Sequence, residues 1–157
     1  MNETVDIRHL ADCPETIPTL ASWVFGQWGQ QYKLESVGVQ VELFANRTDR
    51  DKIPLSYVAF SGSEPVGTAS LKIQEMTTHT HFLYWLGAVY VVGQFRGRGI
   101  GTELIARATD KARELGVETL YLHTPGKTVL YSRLGWQEIE RSVYCGHEVV
   151  IMKKELA

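Results

Sequence analysis

The chain has 157 residues, 44% of them hydrophobic and 22% charged, with a net charge of −2 at pH 7. That is enough chain for one domain with a core, and a single domain over 1–157 is the expectation. The near-neutral charge argues against a nucleic-acid partner, and no apolar run of about 18 residues offers a membrane span. The polar start "MNETVDIRHL" lacks the apolar core of a signal peptide. Cys13 and Cys145 lie far apart, without metal spacing. Two reduced thiols in a cytoplasmic protein are the expectation.

"TVDIRHL" (4–10) alternates apolar and polar residues and predicts a first strand. Ile17, Leu20, Ala21, Val24 and Trp28 recur at helical spacing, with Pro18 tolerated near the helix start. A second helical pattern over 35–46 runs through Val37, Val41 and Phe44 and ends before the polar turn "NRTDRDK". "PLSYVAFSG" and "EPVGTASLKIQEM" then read as a hairpin around "SGSEP". After a polar loop over 77–81, "FLYWLGAVYVV" (82–92) is nearly all apolar, which predicts a strand buried on both faces. A helix over 99–115 places Ile100, Leu104, Ile105, Ala108, Ala112 and Leu115 on one face, with Gly116 as its stop. A strand (117–123), a short helix (127–135) and two strands turning at Cys145–Gly146 complete the chain. Hairpins give antiparallel pairs and β–helix–β crossovers give parallel ones, so the fold class is α/β with a mixed sheet.

The junction "RGRGIG" (96–101) packs three glycines and two arginines between a strand and a helix. It is not a dinucleotide fingerprint, because the third glycine position falls on Thr102 or Leu104. It is not a nucleoside-triphosphate loop either, since no G-K-[ST] follows. It still has the chemistry of an anion site. A helix start offers unpaired N–H groups and a positive dipole end, and glycines let a phosphate approach them. Arg96 and Arg98 add positive charge. The bland reading is a tight turn with solvated arginines, to which three glycines would bring only an entropic cost.

"V-x-V-x-G-x-F-R-G-R-G-I-G-x-x-L" resembles the acyl-CoA motif of the GNAT family of N-acetyltransferases, [QR]-x-x-G-x-[GA] after an apolar strand, with Arg96, Gly99 and Gly101 in its fixed places. "VLYSRLGW" (129–136) resembles that family's second marker on the last helix, and the order of elements matches over the whole chain. The resemblance implies a single-domain fold with a mixed, mostly antiparallel sheet, a splayed central parallel strand pair and helices on both faces. It implies acetyl-CoA as cosubstrate. Its pantetheine arm would lie along the backbone of Val89, Tyr90 and Val91. Its pyrophosphate would sit on the N–H groups of Gly97, Arg98, Gly99, Ile100, Gly101 and Thr102, beside Arg96. A free amine would attack the thioester between the strands, without a covalent enzyme intermediate and without a metal.

Tyr131 matches the family's general acid, and a phenol within reach can protonate a leaving thiolate. A backbone N–H near Val89 is the expected oxyanion donor. The base stays open. The strand before the loop has no carboxylate, so Glu75 and His123 are candidates, His79 and His81 weaker ones, and a water chain can serve instead. Each has a structural alternative, as a solvated strand end, a loop residue or a capping group. Thr124 stands where the family often has an asparagine, which puts that contact in doubt.

The acceptor is expected to be a small amine, an amino acid or a peptide N-terminus. Trp23, Trp28, Tyr32, Tyr84 and Trp85 are available to line its site, or to fill the core. Glu35 and Glu42 could meet a cationic amine, or water. The C-terminal strands could pair in a homodimer. Two other readings stay open: transfer of a longer acyl chain, and a CoA-binding or regulatory domain without turnover.

Overall fold

A computed structural model describes residues 5–157. Residues 1–4, and with them the start of the expected first strand, lie outside the described residues. The elements follow the expected order: β1 (Val5–His9), α1 (Ile17–Trp28), α2 (Val37–Ala45), β2 (Leu55–Ser61), β3 (Glu64–Ile73), β4 (Tyr84–Val91), α3 (Ile100–Glu114), β5 (Thr119–Thr124), α4 (Thr128–Arg133), β6 (Gln137–Tyr144) and β7 (His147–Glu155).

The strands form one sheet in the order β1-β2-β3-β4-β5-β7-β6. Every neighbouring pair is antiparallel except β4 and β5. The period of two along β2 sorts its side chains onto two cores. Leu55, Tyr57 and Ala59 join Leu104, Ile105 and Ala108 of α3 on one face. Val58 and Phe60 join Leu20, Ala21 and Val24 of α1 and Phe44 of α2 on the other. Helices therefore cover both faces. Ser36 caps α2, its hydroxyl accepting the Val39 N–H at 3.1 Å. The buried face of α2 carries Gln40 as well as Phe44, while Val37 in its first turn stays exposed.

β4 departs from expectation. Only Trp85 and Leu86 are fully buried, and 87–91 are half-buried. The cause is the neighbour. β5 is in register with β4 at a single pair, Trp85 with Tyr121, and then the two strands separate. β4 also bulges against β3, since Ser70 faces Gly87 and Thr68 faces Tyr90, which sets Ala88 and Val89 against one residue of β3. Ala88 takes a φ of 52° there, a left-handed conformation that costs a side-chain-bearing residue about 1–2 kcal/mol. Bulges re-aim a strand's groups and favour functional sites.

Candidate active site

The gap between β4 and β5 opens into a cleft of about 880 Å³ that passes from the start of α3 to the end of β3. On the α3 side, Gly97 and Gly99 have φ of 77° and 82°. Glycine alone adopts such values at little cost. A Cβ at either position would meet no protein atom within 4 Å, so the space above them is cleft. Gly99 caps α3, and Ile100, Gly101 and Thr102 of its first turn, whose N–H groups have no partner within the helix, line the same space. A pyrophosphate fits this arrangement, with backbone donors, a dipole end and no side chain in the way. Arg96 bends back over it. Its Nε donates to the Val91 carbonyl at 2.8 Å, and its guanidinium lies 5.4 Å from the Tyr90 ring. Arg98 does not line the cleft; its guanidinium sits over Phe95.

Val89, Tyr90 and Val91 line the cleft at the bulge, beyond the last β4–β5 register pair. Across the gap, α4 carries Tyr131 into it. The Tyr131 ring packs edge-on against Trp136, and burial pushes its phenol up to about 12. Among the described residues nothing bonds its hydroxyl, and the residue lines the cleft. Thr124 is committed elsewhere, its Oγ1 accepting the Lys127 N–H at 3.1 Å to hold the β5–α4 turn.

The opposite face of the sheet holds the other polar groups. Leu120 and Leu122 of β5 point to the α3 core, so His123 points to the α1 side. There it meets Tyr32, Trp85 and Tyr144 at ring separations of 5.6, 6.1 and 5.8 Å. Its Nε2 is 3.8 Å from the Glu75 carboxylate, and Lys72 Nζ is 2.9 Å from the other carboxylate oxygen. Burial would raise the Glu75 carboxyl, but Lys72 first and His123 second outweigh it and hold it at about 2. For Lys72 burial wins, and its ammonium is lowered despite Glu75. The Lys72 stem lies over Gly87, where a Cβ would be 3.1 Å from Cε.

The structure thus brings Tyr131, Glu75, His123 and the glycine loop to one cleft. His79 and His81 are not part of it. His79 is pinned between Thr78 at 2.7 Å and Glu140 at 2.5 Å, and the His81 ring lies tilted against Phe82, their centroids 4.2 Å apart. Of the expected aromatic residues, Trp28 and Tyr32 line the cleft. Trp85 is core, bonding the Phe82 carbonyl at 2.6 Å, and Trp23 stacks on Tyr90. Tyr84, Glu35 and Glu42 do not line it. Lys72, Arg47 and Gln40 do, and sequence reasoning did not find them. The spacing of Lys72 and Glu75 at the end of a strand was the signal available for that pair.

The model of the acetyltransferase (GNAT) family matches residues 16–136. The chain belongs to that family. It is 34% identical over 92 residues to the N-alpha-acetyltransferase MAK3 of Arabidopsis thaliana, covering 55% of this chain and 47% of that protein. It therefore spans about half the length of that curated relative. Its fold is similar to the ribosomal-protein-alanine N-acetyltransferase from Brucella melitensis, at a TM-score of 0.76 and 24% identity over 96% of this chain and 99% of the other. It is also similar to a putative acetyltransferase from Salmonella typhimurium with its cofactor acetyl-CoA, at a TM-score of 0.75 and 16% identity over 99% and 95% of the two chains. Among the described residues no helix is long and apolar enough to cross a membrane, and no cluster of His, Cys, Asp or Glu could hold a metal.

Proposed function

We propose that the chain, read as one domain, transfers an acetyl group from acetyl-CoA to a primary amine, each substrate entering from one face of the sheet. The observation that carries this reading is the β4–β5 gap. It joins a phosphate-fitting loop and a protonated phenol on one side to a carboxylate–imidazole pair on the other. Bound acetyl-CoA would supply an acyl thioester in that gap. The Val89 amide, at the bulge and beyond the last β4–β5 register pair, is suited to donate to the thioester carbonyl oxygen. The amine nitrogen bonds the carbonyl carbon as the carbon–sulfur bond breaks. Tyr131 gives its proton to the departing sulfur, a role that a phenol held near 12 can fill because it stays protonated. The amine proton leaves on the His123–Glu75 side. A carboxylate held at about 2 is a poor acceptor near neutral pH. We assign the acceptance to His123, with Glu75 compensating the imidazolium that forms.

Calorimetric titration with acetyl-CoA tests the reading, alongside Gly99→Glu and Tyr131→Phe. Binding lost in the first variant and kept in the second, with turnover lost in both, supports it. Binding unchanged in both would remove the proposed cradle. Binding without acetylation of any amine would favour a regulatory domain. The edge position of β6 supports pairing of two copies through the C-terminal strands. A monomeric mass in light scattering at high concentration would overturn that assembly.

A further inference from the structure

The turn "NRTDRDK" reads as solvated, yet Arg47 within it is only 6% exposed. Its backbone is pinned from both sides. Its N–H donates to the Phe44 carbonyl at 2.9 Å, and its carbonyl accepts the Ser56 N–H at 3.2 Å. Its guanidinium lies over the Phe44 ring at 4.6 Å, on the α1–α2 face of the sheet, opposite α3 and the glycine loop. A guanidinium has five N–H donors. Only Nη1 makes a hydrogen bond among the described residues, a long one of 3.4 Å to Ser70 Oγ. That hydroxyl is already 2.6 Å from Ser56 Oγ. No carboxylate among the described residues lies within ion-pair distance of Arg47. Glu75 is engaged by Lys72 and faces His123. Arg47 lines the cleft, and so does Gln40 on α2, itself 5% exposed.

Burying a cation without its counter-ion is costly. Burial lowers Arg47 to about 10 against the weaker opposing pull of the Glu75 charge, so it stays charged at neutral pH. This half of the cleft therefore holds two cations, Arg47 and Lys72, against one carboxylate, and the unspent donors are the flat fork that matches a carboxylate's two oxygens. The surplus is a single charge, which suits a monoanion better than a phosphate dianion. We infer that the acceptor is a primary amine that also carries a carboxylate, bound by Arg47 while its amine faces His123. The amine half of this inference rests on the function proposed above; the carboxylate half rests on Arg47 alone.

The test compares acids with their amides. One arm uses free α-amino acids against α-amino amides. A second uses short peptides beginning with Asp or Glu against those beginning with Asn or Gln. A charge-assisted pair is expected to favour the acid by about tenfold or more in kcat/KM in one arm, which also identifies the source of the carboxylate. Arg47→Gln should erase the preference through KM, while Arg47→Lys keeps part of it and acetyl-CoA affinity is unchanged. A binding arm needs no turnover: CoA-loaded protein is titrated with the N-acetylated acids and the matching N-acetylated amides. Acid-selective binding that depends on Arg47 supports the inference even if no amine is acetylated, an outcome that would instead sink the proposed catalysis. Equal handling of acids and amides by the parent protein in every arm overturns the inference, whether or not Arg47→Gln folds.

Discussion

Trp85 and Tyr121 form the one register pair that joins β4 to β5, with their rings 5.7 Å apart. Beyond them the strands part and the cleft begins. This pair is the hinge of the gap, and Trp85 is fully buried beneath it. Trp85→Ala should cost about 3–5 kcal/mol in urea unfolding. Because the gap loses its fixed width, acetyl-CoA affinity should fall as well. Full affinity in a destabilised Trp85→Ala protein would show that the width is set elsewhere.

Gly99→Ala separates strain from occlusion. Its φ of 82° makes a methyl group there cost about 1 kcal/mol in stability. The methyl group also enters the space proposed for the pyrophosphate. Gly62, with φ of 63° in the β2–β3 turn and equally open surroundings, is the control. Gly62→Ala should lose similar stability and no acetyl-CoA affinity, whereas Gly99→Ala should lose both.

Tyr131→Phe should lower kcat by about 10²–10⁴ with little change in acetyl-CoA binding. With its phenol pushed up to about 12, Tyr131 stays protonated across the working range. The parent kcat profile should therefore show no alkaline limb from this residue below pH 10. A limb there that vanished in the Phe variant would contradict the placement of the phenol.

Glu75 ties acid stability to the acceptor side. Its carboxyl falls from 4.5 to about 2 on folding, despite burial, because Lys72 and His123 outweigh burial. A depressed folded value contributes stability that is present above about pH 4.5 and is lost as pH falls towards 2. The parent should therefore weaken in urea between about pH 5 and pH 2, the window linkage assigns to it, and Glu75→Gln should show a shallower decline. In Lys72→Met the carboxyl should titrate higher, because burial then acts with less opposition. A carboxyl signal in carbon NMR that does not move would break the assignment.

The geometry of the glycine loop was legible because its signal is local. Glycines that need positive φ, at a strand-to-helix junction, state their geometry in consecutive residues. The α3 face was legible for the same reason, since a helix repeats its pattern within its own span. The opening of β4 was not. An apolar strand reads as buried when its neighbour is assumed to run alongside, and only the departure of β5 leaves 87–91 half-exposed. Arg47 was hidden by its context, a polar turn whose burial follows from α2 and β3 closing over it. Lys72 and Glu75 are three apart in sequence, and their pairing depends on β3 ending between them. His123 and Tyr131 are legible as chemistry, but sequence does not say that they face opposite sides of the sheet.

The sheet is left unfinished where β4 and β5 part. A ligand lying against the open edge of β4 would take the place of the missing ladder, so occupancy and folding would be one equilibrium. Saturating acetyl-CoA at a hundred times its Kd would add about 2.7 kcal/mol to stability. The protein's resistance to proteolysis would then rise with the concentration of its own donor.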